Sequence, residues 1–332
     1  MGGSGVSVFL TQAEEIFPIR GVFRISRGAR TESRAVVATL TDSRYIGRGE
    51  CMPYARYDET MESVLAEIAS LAPAIADGAN RQDIQSLLPA GAARNAIDCA
   101  FWDLEAKRGG CRAWEIAGLG QPDGVVTAYT LSLDEPNAMG RAANAAKDRP
   151  LLKIKLAGEG DLERVAAIRK NAPKAKLIVD ANEGWTPEMV APFSEKLAAL
   201  GVALIEQPLP ASADSPLANL PHPVPICADE SAHTSADIER LAGRYDVVNI
   251  KLDKSGGLTE ALKFRDAILA ANMDVMVGCM LGSSLAMAPA MLITEGAQFV
   301  DLDGPLLLDR DRAPGLCYTG SKIAYPPQEL WG

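Results

Sequence analysis

Histidine is scarce in this chain: His222 and His233 are the only two in 332 residues. That excludes a multi-histidine metal site and leaves His233 at most a lone acid/base. The six cysteines (Cys51, Cys99, Cys111, Cys227, Cys279, Cys317) form no CxxC pair and no disulfide-rich spacing. They read as free, mostly buried thiols in a reducing compartment. Neither GxGxxG nor GxxxxGK[ST] occurs, so no dinucleotide or phosphate loop is expected. The run Lys254-Ser255-Gly256-Gly257 resembles one in glycine content alone. The formal charge is −10 with no Lys/Arg tract, which argues against nucleic acid as a partner. The first fifteen residues lack a basic region followed by an apolar core, so no signal peptide is expected and the location reads as cytoplasmic. The glycine-rich start reads as a flexible leader. Val275–Thr294 is uncharged for twenty residues, formally enough to span a bilayer. Gly278, Gly282, Ser283, Ser284 and Pro289 instead divide it into a short strand, a loop and a buried helix, so no membrane partner is expected.

What remains is a globular chain with 48% hydrophobic residues, long enough to bury a large core. VSVFL, GVFRIS, RAVVATLT and YIGRGE read as a meander of about three antiparallel strands. Helical patterns follow over Glu59–Ala76 and Ala92–Lys107, the second ended by Gly109-Gly110, with a shorter element at Ile84–Leu88. From Val125 the rhythm changes to strand–helix alternation, with eight candidate strands: VVTAYTL, LLKIKL, AKLIVD, VALIEQ, VPICAD, DVVNIK, DVMVG and FVDLD. Helices are expected at Asp161–Asn171, Pro187–Ala199, Ser235–Ala242 and Leu258–Ala271. Near-continuous apolar strands between helices predict a parallel sheet covered by helices, and eight of them favour closure into a barrel. Three regions result: an α+β capping domain (1–120), a barrel domain (121–305) and a C-terminal segment (306–332), whose LCYTG and IAYPP return to the capping domain.

Polar residues punctuate the strand ends: Lys153 and Lys155 in LLKIK, Asp180 in KLIVD, Glu206 in VALIE, Asp229 in VPICAD and Lys251 in DVVNIK. From Lys155 onward they are spaced by 25, 26, 23 and 22 residues, about one strand, one helix and two loops each. A residue type changing at the same place in every unit is what a barrel with its site on the C-terminal rim produces. Asp180, Glu206 and Asp229 would converge as a hard-oxygen site suited to Mg²⁺, with Mn²⁺ as a substitute. Lys153 and Lys155, two apart in a strand, share a face, and two adjacent ammoniums are expected to lower one another's pKa toward that of a base. Lys251, on the sixth strand, stands opposite the second. Bases on opposite walls would flank a substrate carbon from both faces.

These motifs resemble those of the enolase superfamily, in its muconate-lactonizing subgroup, and within it the L-Ala-D/L-Glu (dipeptide) epimerases. The resemblance covers essentially the whole chain after the leader. It implies a (β/α)₇β modified TIM barrel with an α+β cap, Lys155 and Lys251 as acid/bases, and Lys153 as electrostatic helper. It also implies Asp180, Glu206 and Asp229 as Mg²⁺ ligands, and an enediolate formed by loss of the glutamyl α-proton. Asp301 and Asp303 in DLDGP match the motif that binds a dipeptide's ammonium. Arg30 in SRGARTES, with Arg27 the weaker match, corresponds to an arginine that pairs with the glutamate side chain from a covering loop. The substrate would be a small dipeptide such as L-Ala-D-Glu, from recycled cell-wall peptide, and a homo-oligomer is compatible with the superfamily. From position, Tyr54 and Tyr57 are expected to form an aromatic lid. Thr130, Met280, Leu281 and Ser283 are expected at the pocket wall. Cycloisomerisation, o-succinylbenzoate synthesis and N-acylamino-acid racemisation use the same half-reaction without a substrate ammonium, so Asp301 and Asp303 are the discriminating pair. A catalytically silent barrel would require the whole Lys/Asp/Glu set to be incidental.

Overall fold

The computed structural model describes residues 7–121 and 123–332; the glycine-rich leader lies outside the described residues. The capping domain opens with β1 (Phe9–Ile25), β2 (Gly28–Thr41) and β3 (Ile46–Cys51), an antiparallel meander. VSVFL and GVFRIS are not separate strands: β1 runs through both and turns into β2 at Ser26-Arg27. Helices α1 (Met61–Ser70), α2 (Ala72–Ala76), α3 (Arg81–Leu87) and α4 (Ala92–Gly109) follow, with Gly110 at φ 62° closing α4 as the Gly-Gly pair suggested. α4 lies directly on β3. A Cβ at Gly49 would fall 2.2 Å from the Ala96 carbonyl oxygen, so only glycine permits that approach.

The barrel strands are β5 (Tyr129–Leu131), β6 (Leu151–Lys155), β7 (Lys176–Asp180), β8 (Val202–Glu206), β9 (Ile226–Ala228), β10 (Val247–Ile250), β11 (Asp274–Val277) and β12 (Phe299–Val300), after a two-residue β4 (Val125–Val126). They pair in parallel in that order, and Ala128 N–H donates to the Val300 carbonyl at 2.8 Å to join first to last. Helices occupy Asp161–Asn171, Pro187–Ala199 and Leu258–Ala270, and Asn272 takes the left-handed turn at φ 55°. The fourth unit has two 3₁₀ turns, Ala211–Ala213 and Ser215–Asn219, in place of an α-helix. The prolines of QPLPASADSPLANLPHPVP remove donors and clash with a continuous helix. Ser235–Ala242 is likewise a 3₁₀ turn running into one helical turn, Ile238–Leu241.

One residue from each strand region (Ala128, Leu151, Ile178, Leu204, Cys227, Val247, Met276, Phe299) fills the barrel floor as a single buried cluster. Because strand side chains alternate, the next inward positions lie two residues further along: Thr130, Lys153, Asp180, Glu206, Asp229, Asn249, Gly278 and Asp301. The site is thus a polar layer on an apolar floor. No helix among the described residues is long and apolar enough to cross a membrane.

The tail differs from expectation in its strand partner. β13 (Tyr318–Thr319) and β14 (Lys322–Ile323) pair with β4, not with the meander. The last residues do reach the cap, where Trp331 Nε1 donates to the Cys99 carbonyl and Gly332 N–H to Asp103, at 2.9 and 2.8 Å. Of the cysteines, Cys51, Cys99 and Cys227 are buried, Cys111 and Cys279 half-buried and Cys317 exposed, and all are free.

Asp253 ties cap to barrel, accepting from Met52 N–H and Asn95 Nδ2, both at 3.0 Å. Burial outweighs those donors and pushes its carboxyl up to about 7. An unfolded aspartate titrates near about 3.9, so the folded chain binds this proton more tightly, and stability falls as pH rises from about 4 through about 7. Asp253→Asn is therefore expected to gain stability relative to the wild type as pH rises across that window in urea denaturation. A difference that does not change with pH contradicts it.

Candidate active site

Strand register brings the polar ends level: Lys155 pairs with Asp180, Asp180 with Glu206, and Thr130 with Lys153. Asp180, Glu206 and Asp229 are all buried, and one carboxylate oxygen from each lies within 4.8 Å of the others. Three like charges this close repel. Burial and the Asp180 charge push the Glu206 carboxyl up to about 7. Burial opposes ionisation of Asp180 too, but Lys155 and Lys153 hold it down at about 2. A hard divalent cation fits this donor set, with three oxygens and no competing sulfur or imidazole.

The lysines face those carboxylates. Lys155 Nζ is 2.6 Å from Asp180 Oδ2. Lys153 Nζ is 2.6 Å from Glu206 Oε2, 2.9 Å from Asp301 Oδ2 and 3.4 Å from Asp180 Oδ2. Lys251 Nζ is 2.6 Å from Asp229 Oδ2. For Lys153 this corrects the expectation of a lowered pKa. Burial alone would lower Lys153 and Lys251, but the facing carboxylates, Asp301, Glu206 and Asp180 for Lys153 and Asp229 for Lys251, hold both well above the ordinary value.

Of these, Lys153, Lys155, Asp229, Lys251 and Asp301 line one cavity of about 470 Å³, together with Asp303. Thr130, Tyr54, Tyr57, Met280 and Leu281 line it, as expected. Ser283 does not. It is fully buried, its hydroxyl donates to Glu50, and it caps the helix Ser284–Ala290. His233 is also absent from the wall, its ring packed edge-on against Tyr57 at 4.8 Å. Asp303 Oδ2 accepts the Thr130 N–H at 2.6 Å, and burial with the Asp301 charge pushes its carboxyl up to about 7.

Arg30 lies in β2 opposite Phe23 and not in an open loop, with its guanidinium 5.6 Å from the Tyr54 ring centroid. It makes no ion pair among the described residues. Arg27, at the turn itself, is already engaged by Glu230 at 2.7 Å and Glu183 at 3.2 Å, and donates to the Tyr54 hydroxyl at 3.0 Å. Arg56 holds Glu183 as well, at 2.8 Å. The hairpin tip and the Tyr54–Tyr57 loop are thus fastened over the mouth through one barrel carboxylate, Glu183.

Several site residues escape the sequence reading. Asn249 donates to Glu206 Oε1 at 2.8 Å. Its signal was the two-residue period Val247, Asn249, Lys251, a polar residue at an inward position. A Cβ on Gly278 would fall 2.5 Å from Asn249 Oδ1, so the glycine makes room for it. Lys254, discounted with its glycine-rich neighbours, reaches inward to Asp229 Oδ1 at 2.6 Å and not outward to a phosphate. Glu230 and Glu183, the acceptors of the lid arginines, carry no periodic signal. The backbone is also strained beside Asp180 and Glu206, with positive φ at Asn182 (45°), Glu183 (65°) and Gln207 (34°).

A parallel barrel carrying lysines on opposite walls around three carboxylates defines a class, and comparison with known proteins agrees. The mandelate racemase / muconate lactonizing enzyme N-terminal domain matches residues 7–118, and the enolase C-terminal domain-like family matches residues 138–303. The chain belongs to the enolase superfamily, in its mandelate racemase/muconate lactonizing branch. It is 46% identical to the L-Ala-D/L-Glu epimerase of Escherichia coli (strain K12) over 312 residues, 93% of this chain and 97% of that protein. It is 44% identical to the N-acetyl-D-glutamate racemase of Pseudoalteromonas sp. over 299 residues, 90% of this chain and 95% of that one. An enolase family member from Agrobacterium tumefaciens with homology to dipeptide epimerases, solved with sodium and L-Ala-L-Glu, superposes with a TM-score of 0.97 at 49% identity. That match covers 98% of this chain and 100% of the other.

Proposed function

We propose that the chain is a Mg²⁺-dependent L-Ala-D/L-Glu epimerase that inverts the glutamyl α-carbon by two-base 1,1-proton transfer. The observation that carries this reading is that Lys155 and Lys251, from the second and sixth barrel strands, line the same cavity on either side of the three-carboxylate cluster. Asp180, Glu206 and Asp229 would hold Mg²⁺, with Mn²⁺ as a substitute. A cation held there would supply positive charge beside the carboxylate next to the reacting carbon, where negative charge builds as the proton leaves.

The remaining work belongs to side chains. Arg30, the lid arginine without an ion pair among the described residues, would take the glutamate side-chain carboxylate. Asp303 and Asp301 would take the free ammonium, and Lys153 would add positive charge beside the reacting carboxylate. Whichever of Lys155 and Lys251 is neutral removes the α-proton, breaking the C–H bond. The other, as an ammonium, delivers a proton to the opposite face. Tyr54 and Tyr57 over the mouth would exclude water. The biological setting implied is recycling of cell-wall peptide in the cytoplasm.

A second reading, racemisation of N-acylated glutamate, has a specific observation in its favour: Asp301 Oδ2 is already occupied by Lys153. Against it, Asp301 Oδ1 has no hydrogen-bond partner among the described residues and would take an ammonium together with Asp303. Turnover of L-Ala-L-Glu and N-acetyl-glutamate, followed by chiral chromatography, separates the two. The dipeptide is expected to be the better substrate. Asp303→Asn is expected to lower kcat/KM for the dipeptide by about 10- to 100-fold, the size of a charged hydrogen bond, while leaving N-acetyl-glutamate nearly unaffected. Turnover of N-acetyl-glutamate alone would overturn the dipeptide reading.

A further inference from the structure

Four lysines are buried at the site, and they are not equivalent. Lys153, Lys155 and Lys251 line the cavity; Lys254, 2% exposed, does not. It sits on the helical turn Leu252–Ser255 that follows β10, a turn for which Lys251 is the N-terminal flanking residue and Gly256 at φ 77° the end. Lys251 and Lys254 grip the same carboxylate from two sides, at Oδ2 and Oδ1 of Asp229, each at 2.6 Å.

Their remaining bonds differ. Lys254 Nζ also donates to the backbone carbonyls of Asp229 and of Asn249, the latter at 3.1 Å, so its three protons are all used inside the protein. Lys251 Nζ has Asp229 as its one partner among the described residues. An ammonium with three fixed acceptors cannot turn toward a substrate, whereas one with a single acceptor at the cavity wall can. The Asn249 whose carbonyl holds Lys254 also donates its side-chain amide to Glu206 Oε1, so one buried layer braces two of the three carboxylates.

We propose that Lys254 is a positioning residue, the resident counter-ion of Asp229. By neutralising Asp229 from behind and fixing Oδ1, it leaves Lys251 with Asp229 Oδ2 as its one partner and free to exchange protons with the substrate. The proposal rests on the two-lysine reading above. Without Lys254, the buried Asp229 carboxylate loses a counter-charge and draws Lys251 onto itself. Proton transfer through Lys251 then fails while transfer through Lys155, on the opposite wall, continues.

The test compares the two faces within one preparation. α-Proton exchange in D₂O with Mg²⁺ is measured separately from L-Ala-L-Glu and L-Ala-D-Glu for the wild type, Lys254→Met and Lys254→Gln. A Lys251→Ala control identifies the epimer whose exchange depends on Lys251. Lys254→Met is expected to shift the ratio of the two exchange rates by about tenfold or more against that epimer. Lys254→Gln, which keeps a donor without the charge, is expected to skew it in the same direction. The ratio is independent of the folded fraction, so a variant that folds poorly still reports. A crystal structure of Lys254→Met supplies a readout apart from activity, with the Asp229 carboxylate expected to rotate so that both oxygens engage Lys251. An equal fall for both epimers, an unchanged ratio or an unmoved Asp229 would overturn the proposal. If Lys251→Ala and Lys155→Ala fail to divide the epimers between them, the two-lysine reading has failed first, and the role of Lys254 falls with it.

Discussion

Lys251→Ala is expected to lower epimerisation by about 10²–10⁴-fold, the usual worth of a positioned general acid/base, and Lys155→Ala to do the same. The two lesions are not redundant. Each removes one wall of the cavity's proton traffic, so each variant should still wash the α-proton out of the epimer presented to the surviving lysine. Inversion needs both walls; exchange needs one. The double variant should lose exchange from both epimers without the two losses simply multiplying, because the residues act as a unit. Protein expression and melting temperature serve as controls, since truncating Lys251 leaves Asp229 its second counter-ion, Lys254. Full loss of exchange from both epimers in either single variant would mean that one lysine serves both faces.

Removing the metal should cost more. The cluster of Asp180, Glu206 and Asp229 is buried, with one oxygen from each within 4.8 Å of the others, a hard-oxygen donor set that a divalent cation fits. Deprotonating a carbon beside an ionised carboxylate needs several kcal/mol of charge stabilisation, on the order of 10³-fold in rate or more. Chelation is therefore expected to reduce turnover to background, with Mg²⁺ or Mn²⁺ restoring it. A binding readout should agree. At a hundredfold excess over Kd, the metal is expected to stabilise the fold by about 2.7 kcal/mol, seen as a rise in Tm. Glu206→Gln should abolish that rise along with activity. A wild-type Tm and rate indifferent to chelator and metal would exclude the metal site.

Much of this layout was legible in the sequence because a barrel enforces a regular repeat. Each strand must end at the rim, and an ionisable residue there interrupts an otherwise apolar run, which is why Lys155, Asp180, Glu206, Asp229 and Lys251 stand out at nearly constant intervals. The three-stranded meander and α4 were legible for similar reasons of period and capping. What the sequence hid is what depends on three-dimensional neighbours. Asn249 and Lys254 matter because they lie beneath Glu206 and Asp229; the two-residue period marks Asn249 as inward but not the carboxylate it meets, and nothing marks Lys254. The Lys153 pKa direction was misread because strand spacing reveals its neighbouring ammonium but not the carboxylates that face it from other strands. Ser283 looked like a wall residue because it follows the seventh strand. Its hydroxyl is spent on Glu50, more than two hundred residues away in the chain. The C-terminal strands were expected at the capping domain because β4, two residues long, is too short to announce itself as their partner.

The most direct test of the central claim is a proton NMR experiment in D₂O with the wild-type protein and Mg²⁺, starting separately from L-Ala-L-Glu and L-Ala-D-Glu. The account predicts that the glutamyl α-proton signal disappears from both, that both converge on the same mixture of epimers deuterated at that carbon, and that the alanyl α-proton persists. A glutamyl α-proton that persists in both dipeptides, or exchange at the alanyl carbon instead, would contradict it.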